Sequence, residues 1–228
     1  MRSTLSCFLL CGLLSSCASV SIKKFELLSE RPPTRAPARI LVKPSMFYEP
    51  TLRVDRRGAK LENFKYDLQE KFTTHLVRQL SRHVAPAQAV AATAPLPQRN
   101  YWLIRGRFDR VNQGSRLLRS IVGFGAGGTR LDMSVVIFDL SGRKPRPFLL
   151  IETTGGSNAA PGAIGTAAYF ATGVTALFSA SSLLEGTRSG LTFDIIRSAG
   201  EVAAGLSQYL SERGALAADK KPLRPKRR

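Results

Sequence analysis

Residues 123–128 read GFGAGG, a G-x-G-x-x-G spacing. Glycines so spaced let a backbone turn tightly and approach a pyrophosphate. That chemistry needs a strand before them, a helix opening at their end, and an acid about twenty positions later for the ribose. Here the following run, TRLDMSVVIFDL, is β-branched and aromatic and predicts a strand. Asp139 comes too early for a ribose, and the next acid is Glu152. A kinase-type glycine loop does join two strands, but its lysine, HRD and DFG partners are missing. The expected role of Gly123, Gly125, Gly127 and Gly128 is therefore structural: positive φ and close backbone approach where the chain reverses between strands. No cofactor is expected.

Other reactive residue types are equally scattered. His75 and His83 lie eight apart on or near a predicted helix, and without a third ligand they read as helix-surface residues, so no metal site is expected. Ser141-Gly142-Arg143-Lys144 spells the S-x-x-K of penicillin-recognising enzymes. Gly142 and Pro145 make it a hairpin turn, and the S-D-N and K-T-G partners are absent. Gly156-Ser157-Asn158 lacks the second glycine of a nucleophile elbow. Asp132 and Asp139 stand an odd number of residues apart in one predicted strand, hence on opposite faces, and cannot pair as acid and base. No catalytic residue is assigned. A non-enzyme is expected, with an enzyme of unrecognised site the less favoured reading.

Charge and the N-terminus narrow the class further. The 228 residues carry 34 Lys and Arg against 16 Asp and Glu, a formal +18 that favours anionic partners. Arg105, Arg107, Arg116 and Arg119, on or beside predicted strands, are the candidate anion contacts, and Lys220, Lys221, Arg224, Lys226, Arg227 and Arg228 add to them from the tail. Met1-Arg2, the apolar run from Leu5 to Leu14 and the small residues after it follow the order of a secretory signal. Leu14-Ser15-Ser16-Cys17 resembles the lipobox of bacterial lipoproteins, which implies lipidation of Cys17 and removal of residues 1–16. An uncleaved anchor over 3–22 competes, but its second half is mostly Ser, Ala and Cys; a third reading makes the cysteines plain apolar filler. Cys7 and Cys11 would leave with the signal, so the mature chain would keep neither a free thiol nor a disulfide. Ala18, where inner-membrane lipoproteins tend to carry Asp, implies the outer membrane and its periplasmic face. Nucleic acid and cytosolic nucleotides are then not expected as partners, whereas the membrane is; the basic residues read either as a solvated face or, more sharply, as contacts to an anionic envelope component or an acidic protein.

The elements needed to position these residues can be read from periodicity. PPTRAP at 32–37 marks residues 17–37 as a proline-rich tether. ARILV at 38–42 predicts a strand, 44–60 a solvated loop, and 84–98 an Ala/Pro-rich connector with no packing pattern. Leu61, Phe64, Leu68, Phe72, Leu76 and Leu80 recur at helical spacing through about Arg82. Residues 101–111, 131–140 and 146–154 predict three strands joined in antiparallel fashion, with Trp102, Ile104 and Phe108 facing away from Arg105 and Arg107. Ile195, Ala199, Val202, Leu206 and Leu210 form the stripe of a last helix over 193–210. Residues 153–184 contain no charge, and Ala163, Ala167, Ala171, Thr175 and Ser179 recur every fourth residue, the pattern of a helix packed closely within the subunit, between subunits or in a membrane. The expected fold is α+β: a small antiparallel sheet flanked by two amphipathic helices, with an apolar small-residue helix inserted before the C-terminal one. It forms one domain over 38–214, followed by a basic disordered tail at 215–228. The expected function is that of a non-enzymatic accessory or assembly component of the envelope; the alternative is a subunit of an oligomeric secretion or transport assembly, a homo-oligomer included, that packs or inserts through 153–184.

The run GSRLLRSIVGFGAGGTRLDMSVVIFDL resembles the core motif of domain-of-unknown-function family 4410, a bacterial lipoprotein family. Gly114, Arg116, Arg119, Gly123, Gly125, Gly127 and Asp139 stand at the matching positions. The resemblance covers about 38–212, and its specific part about 101–155. It implies an α+β envelope domain, distantly like those of curli-secretion and Tol-associated proteins, and implies no activity.

Overall fold

A computed structural model of the chain describes residues 20–114, 128–156 and 189–226. In chain order the elements are strands β1 (Ser21–Leu27), β2 (Arg39–Val42), β3 (Met46–Phe47) and β4 (Leu52–Arg53), and helix α1 (Ala59–His83). They continue with β5 (Ala87–Ala89), β6 (Tyr101–Asn112), β7 (Arg130–Asp139), β8 (Arg146–Gly156) and helix α2 (Ser189–Ser211). The described residues form an α+β fold in which one sheet runs β1-β8-β7-β6-β2-β5, with β3 and β4 also beside β6.

The sheet is larger than expected, and mixed. β1, β8, β7 and β6 are antiparallel neighbours, but β2, β3 and β4 pair parallel to β6, and β5 parallel to β2. The cause is α1. Its 25 residues rise roughly 37 Å, enough to carry the chain back so that β5 starts at the same end as β2, and the connector after β5 returns it once more for β6. The missed strands are short and lack alternation. β3 and β4 have two residues each and β5 has three, and a register shift between Ile22 and Lys24 interrupts β1.

Both helices cover one face of the sheet. Phe64, Leu68, Phe72, Leu76 and Leu80 of α1, and Ile195, Ala199, Val202, Leu206 and Leu210 of α2, are buried with Ile40, Trp102, Ile104, Phe108, Met133, Val135 and Ile151 in one core. Over the other face, Leu41, Leu103 and Leu140 make a second small core with Val90, Leu96 and Phe138. The Ala/Pro connector, expected to lack packing, thus supplies Val90 and Leu96, and Ala92 and Ala94 accept hydrogen bonds from Lys43 Nζ.

Both expected appendages are folded where described. Residues 21–27 of the supposed tether are β1, and the chain after it straps one end of the domain. Leu28 N donates to Phe148 O, Tyr209 Oη donates to Pro33 O, and Asn100 Nδ2 donates to Ala36 O. The prolines straighten this strap because it crosses the end of the sheet, where no ladder partner is needed. The supposed disordered tail is docked over 215–226: Lys220 Nζ donates to Ser81 O, Leu223 N to Ser207 Oγ, Lys226 N to Glu201 Oε2, and Ile22 N to Lys226 O. Of the segment expected as an apolar helix, residues 153–156 are the end of β8; its remainder lies outside the described residues.

Candidate interaction face

Strand alternation sets out the solvent face of the sheet. β6 turns Arg105, Arg107, Asp109 and Arg110 away from the helices, opposite Val136, Ser134 and Asp132 of β7. β8 adds Glu152 and Thr154, and β1 adds Lys24. Arg107 and Arg105 are exposed as expected, yet their surroundings are mixed in sign. Arg107 Nε lies 2.6 Å from Asp109 Oδ1, and Ser134 Oγ donates to the other oxygen of that carboxylate. Arg130 and Arg110 approach Asp132 Oδ2 at 3.1 and 3.8 Å, while Thr154 Oγ1 donates to Oδ1 at 2.6 Å. Lys24 and Lys23 pair with Glu26 and Glu152. Among the described residues Arg105 has no carboxylate, and its guanidinium lies 5.7 Å from the Phe138 ring centroid. The face therefore pairs most of its cations with carboxylates, Asp132 serving both Arg110 and Arg130, and leaves Arg105 without one. Such exposed pairs stabilise weakly.

The remaining sequence candidates fall as follows. Cys17, Arg116, Arg119, Gly123, Gly125 and Gly127 lie outside the described residues. Gly128 is half-buried immediately before Thr129. Ser141 to Lys144 form the β7–β8 connection, fastened by Asp139, which accepts from Ser141 N and Oγ and from Arg146. Asp132 lies on the solvent face and Asp139 on the other, as their odd spacing requires. His75 is half-buried on α1, and burial together with the Arg78 charge lowers its pKa; His83 Nδ1 lies 3.2 Å from Lys221 O. Among the described residues no group of three or more His, Cys, Asp and Glu could hold a metal ion, and no helix is long and apolar enough to cross a membrane.

One buried acid escaped the sequence reading. Asp194 is 1% exposed; Thr129 Oγ1 donates to its Oδ2 at 2.9 Å, while Oδ1 has no hydrogen-bond partner. Its signal was present, for Asp194 follows Leu191 by three and precedes Ser198 by four, inside the buried stripe. Burial raises its pKa, against the opposing Thr129 hydrogen bond and Arg197 charge. A carboxyl whose folded pKa exceeds its unfolded one favours folding below the unfolded value and loses that contribution as pH rises through the folded value. Asp194→Asn should accordingly stabilise the protein at neutral pH, on the order of 1 kcal/mol, and the gain should vanish in acid. Urea titrations at pH 7 and pH 4 would check this; equal shifts at both would refute it.

The elements also give the domain two distinct ends. Ser21 pairs with Thr154, Asn112 with Arg130, and Arg130 with Gly156, so Val20, Gly114, Thr129 and Gly156 share one end. The first turns of α2 lie there too, since Asp194 meets Thr129. At the other end Arg39 pairs with Tyr101, Trp102 with Asp139, and Asp139 with Arg146, beneath the strap.

Among curated proteins, none matches the chain. Among solved structures it is similar to a PelC dodecamer from Paraburkholderia phytofirmans, with 10% identity, 80% of this chain and 98% of that one covered, and a TM-score of 0.39. It is also similar to the L103M form of that dodecamer, with 11% identity, coverage of 66% and 90%, and a TM-score of 0.34. A likeness of that size fixes neither the fold nor the assembly of this chain. The family model described as a domain of unknown function, DUF4410, matches residues 29–174, beginning in the strap and taking in strands β2 to β8. That match spans more than half of the 228 residues, and the chain belongs to the DUF4410 family.

Proposed function

We propose that the protein is a lipid-anchored lipoprotein of the outer membrane, facing the periplasm through Cys17, and that it acts there as a non-enzymatic accessory or assembly component. The observation that carries this reading is Leu14-Ser15-Ser16-Cys17 lying immediately ahead of β1. Only Ala18, Ser19 and Val20 separate Cys17 from Ser21, so a lipid on that cysteine would be at most about 14 Å from the sheet along an extended chain. The mature protein has no long tether in this reading. Its Val20 end sits against the headgroups, and several acyl chains hold it stably.

In cells fed labelled palmitate, the wild-type chain should incorporate label and fractionate with membranes, and Cys17→Ala should incorporate none and keep its precursor length. Equal labelling of the two would end the lipoprotein reading. The second reading, a subunit of an oligomeric secretion or transport assembly that packs or inserts through the uncharged segment, is favoured by where that segment joins the domain. β8 ends at Gly156 and α2 begins at Ser189, both at the end that carries Val20.

A further inference from the structure

Most cations of the sheet face have a carboxylate beside them, whereas most of those at the strapped end have none among the described residues. Arg31 and Arg35 belong to the strap, Arg39 opens β2, Arg99 precedes β6, Arg143 lies in the β7–β8 connection, and Arg146 opens β8. All six are exposed. Backbone hydrogen bonds from Ala38 N to Asn100 O, Arg99 N to Leu140 O and Leu28 N to Phe148 O tie their segments to this one end. Arg146 shares Asp139, and Arg39 donates to Gln88 Oε1. Arg31, Arg35, Arg99 and Arg143 have no carboxylate partner among the described residues. Asp139 is bound already, and Glu30 stands beside Arg31 in the chain.

We infer that this end docks a linear polycarboxylate of the envelope. The cations stand on separate segments, the strap, β2, the β6 approach and the β7–β8 connection, an arrangement that suits a long ligand better than a small anion. A polymer spans several and releases its condensed counterions on binding, which makes its affinity high and salt-dependent. The choice of carboxylate rests on the anchored reading above. With Val20 held at the membrane, the strapped end points away from the headgroup phosphates and toward the wall, whose peptides carry carboxylates. Arginine forks bind such groups in bidentate fashion.

The test uses the full chain in neutral detergent, with poly-L-glutamate as probe and monomeric glutamate as control, titrated at low and moderate salt. Poly-L-glutamate should bind with an affinity that falls steeply with salt, and monomeric glutamate should not compete. Arg35→Glu, Arg99→Glu and Arg143→Glu combined should weaken binding at least about tenfold, because each position is exposed and free of ion pairs. Arg105→Glu on the sheet face should leave it unchanged. Unaltered binding in the triple variant, an equal loss in Arg105→Glu, or tighter binding of polyphosphate of equal charge would overturn the proposal. Palmitate labelling of the same preparation separates the two readings. Labelled protein that ignores poly-L-glutamate sinks the docking alone, whereas unlabelled protein that binds it keeps the docking and sinks the anchor.

Discussion

Trp102→Ala should cost about 3–5 kcal/mol, a large share of the roughly 5–15 kcal/mol that holds a domain of this kind folded. Trp102 is 1% exposed and joins the sheet to α2. From β6 its ring lies 4.8 Å from that of Phe148 on β8 and 6.0 Å from that of Tyr209 on α2, while Phe148 and Tyr209 lie 5.6 Å apart. Tyr209 in turn donates from Oη to Pro33 O in the strap. Removing the indole opens a cavity beneath the strap that neither ring can fill from its own backbone, so the transfer and cavity terms add. Trp102→Phe keeps a ring there and should lose clearly less. Trp102 is the chain's one tryptophan, so the comparison needs circular dichroism in urea rather than fluorescence. An unchanged slope with a lowered midpoint would mark lost stability. A loss below about 1 kcal/mol would mean that the triad does not hold the strap.

The amphipathic helices were legible because their stripes are long. Phe64 to Leu80 and Ile195 to Leu210 each repeat through several turns, and all of those residues are buried. β6, β7 and β8 were legible for the matching reason, since alternation over about ten residues leaves little choice of face. The antiparallel pairing of β6, β7 and β8 was legible too; what sequence could not give is the pairing beyond those three strands. The parallel pairing of β2 with β6 depends on α1 and the connector after β5 returning the chain, and β1 hides its alternation behind a register shift. The strap and the docked tail were missed because prolines and lysines look solvated in sequence, whereas Pro33 O and Lys226 O are held by partners 176 and 204 positions away. The arginines of the sheet face were found, but not their compensation. Asp132 and Thr154 meet only through the β7–β8 register.

Gly156→Ala should be the most damaging one-carbon addition at the Val20 end, costing roughly 1–3 kcal/mol. A Cβ built there would stand 2.3 Å from Thr129 O and 3.4 Å from Arg130 Cα. The obstacle is backbone of the neighbouring strand, so no rotamer change relieves it and the last ladder pair, Arg130 with Gly156, must part. Gly155 is less severe, because the nearest atom to its added Cβ is the Val20 side chain. The displacement at Gly156 has a second consequence through Thr129, whose hydroxyl is the hydrogen-bond donor to buried Asp194. Moving Thr129 leaves that carboxylate without a donor, and a buried charge that loses its partner costs more than one that never had to ionise. The two sites are therefore coupled. Gly156→Ala should cost less when introduced into Asp194→Asn than into the wild type, with a coupling of about 0.5–3 kcal/mol at neutral pH. The coupling should shrink in acid, where Asp194 is protonated and has no charge to strand. Strict additivity at both pH values would show that the strain at Gly156 is absorbed in the strand ends and never reaches Asp194.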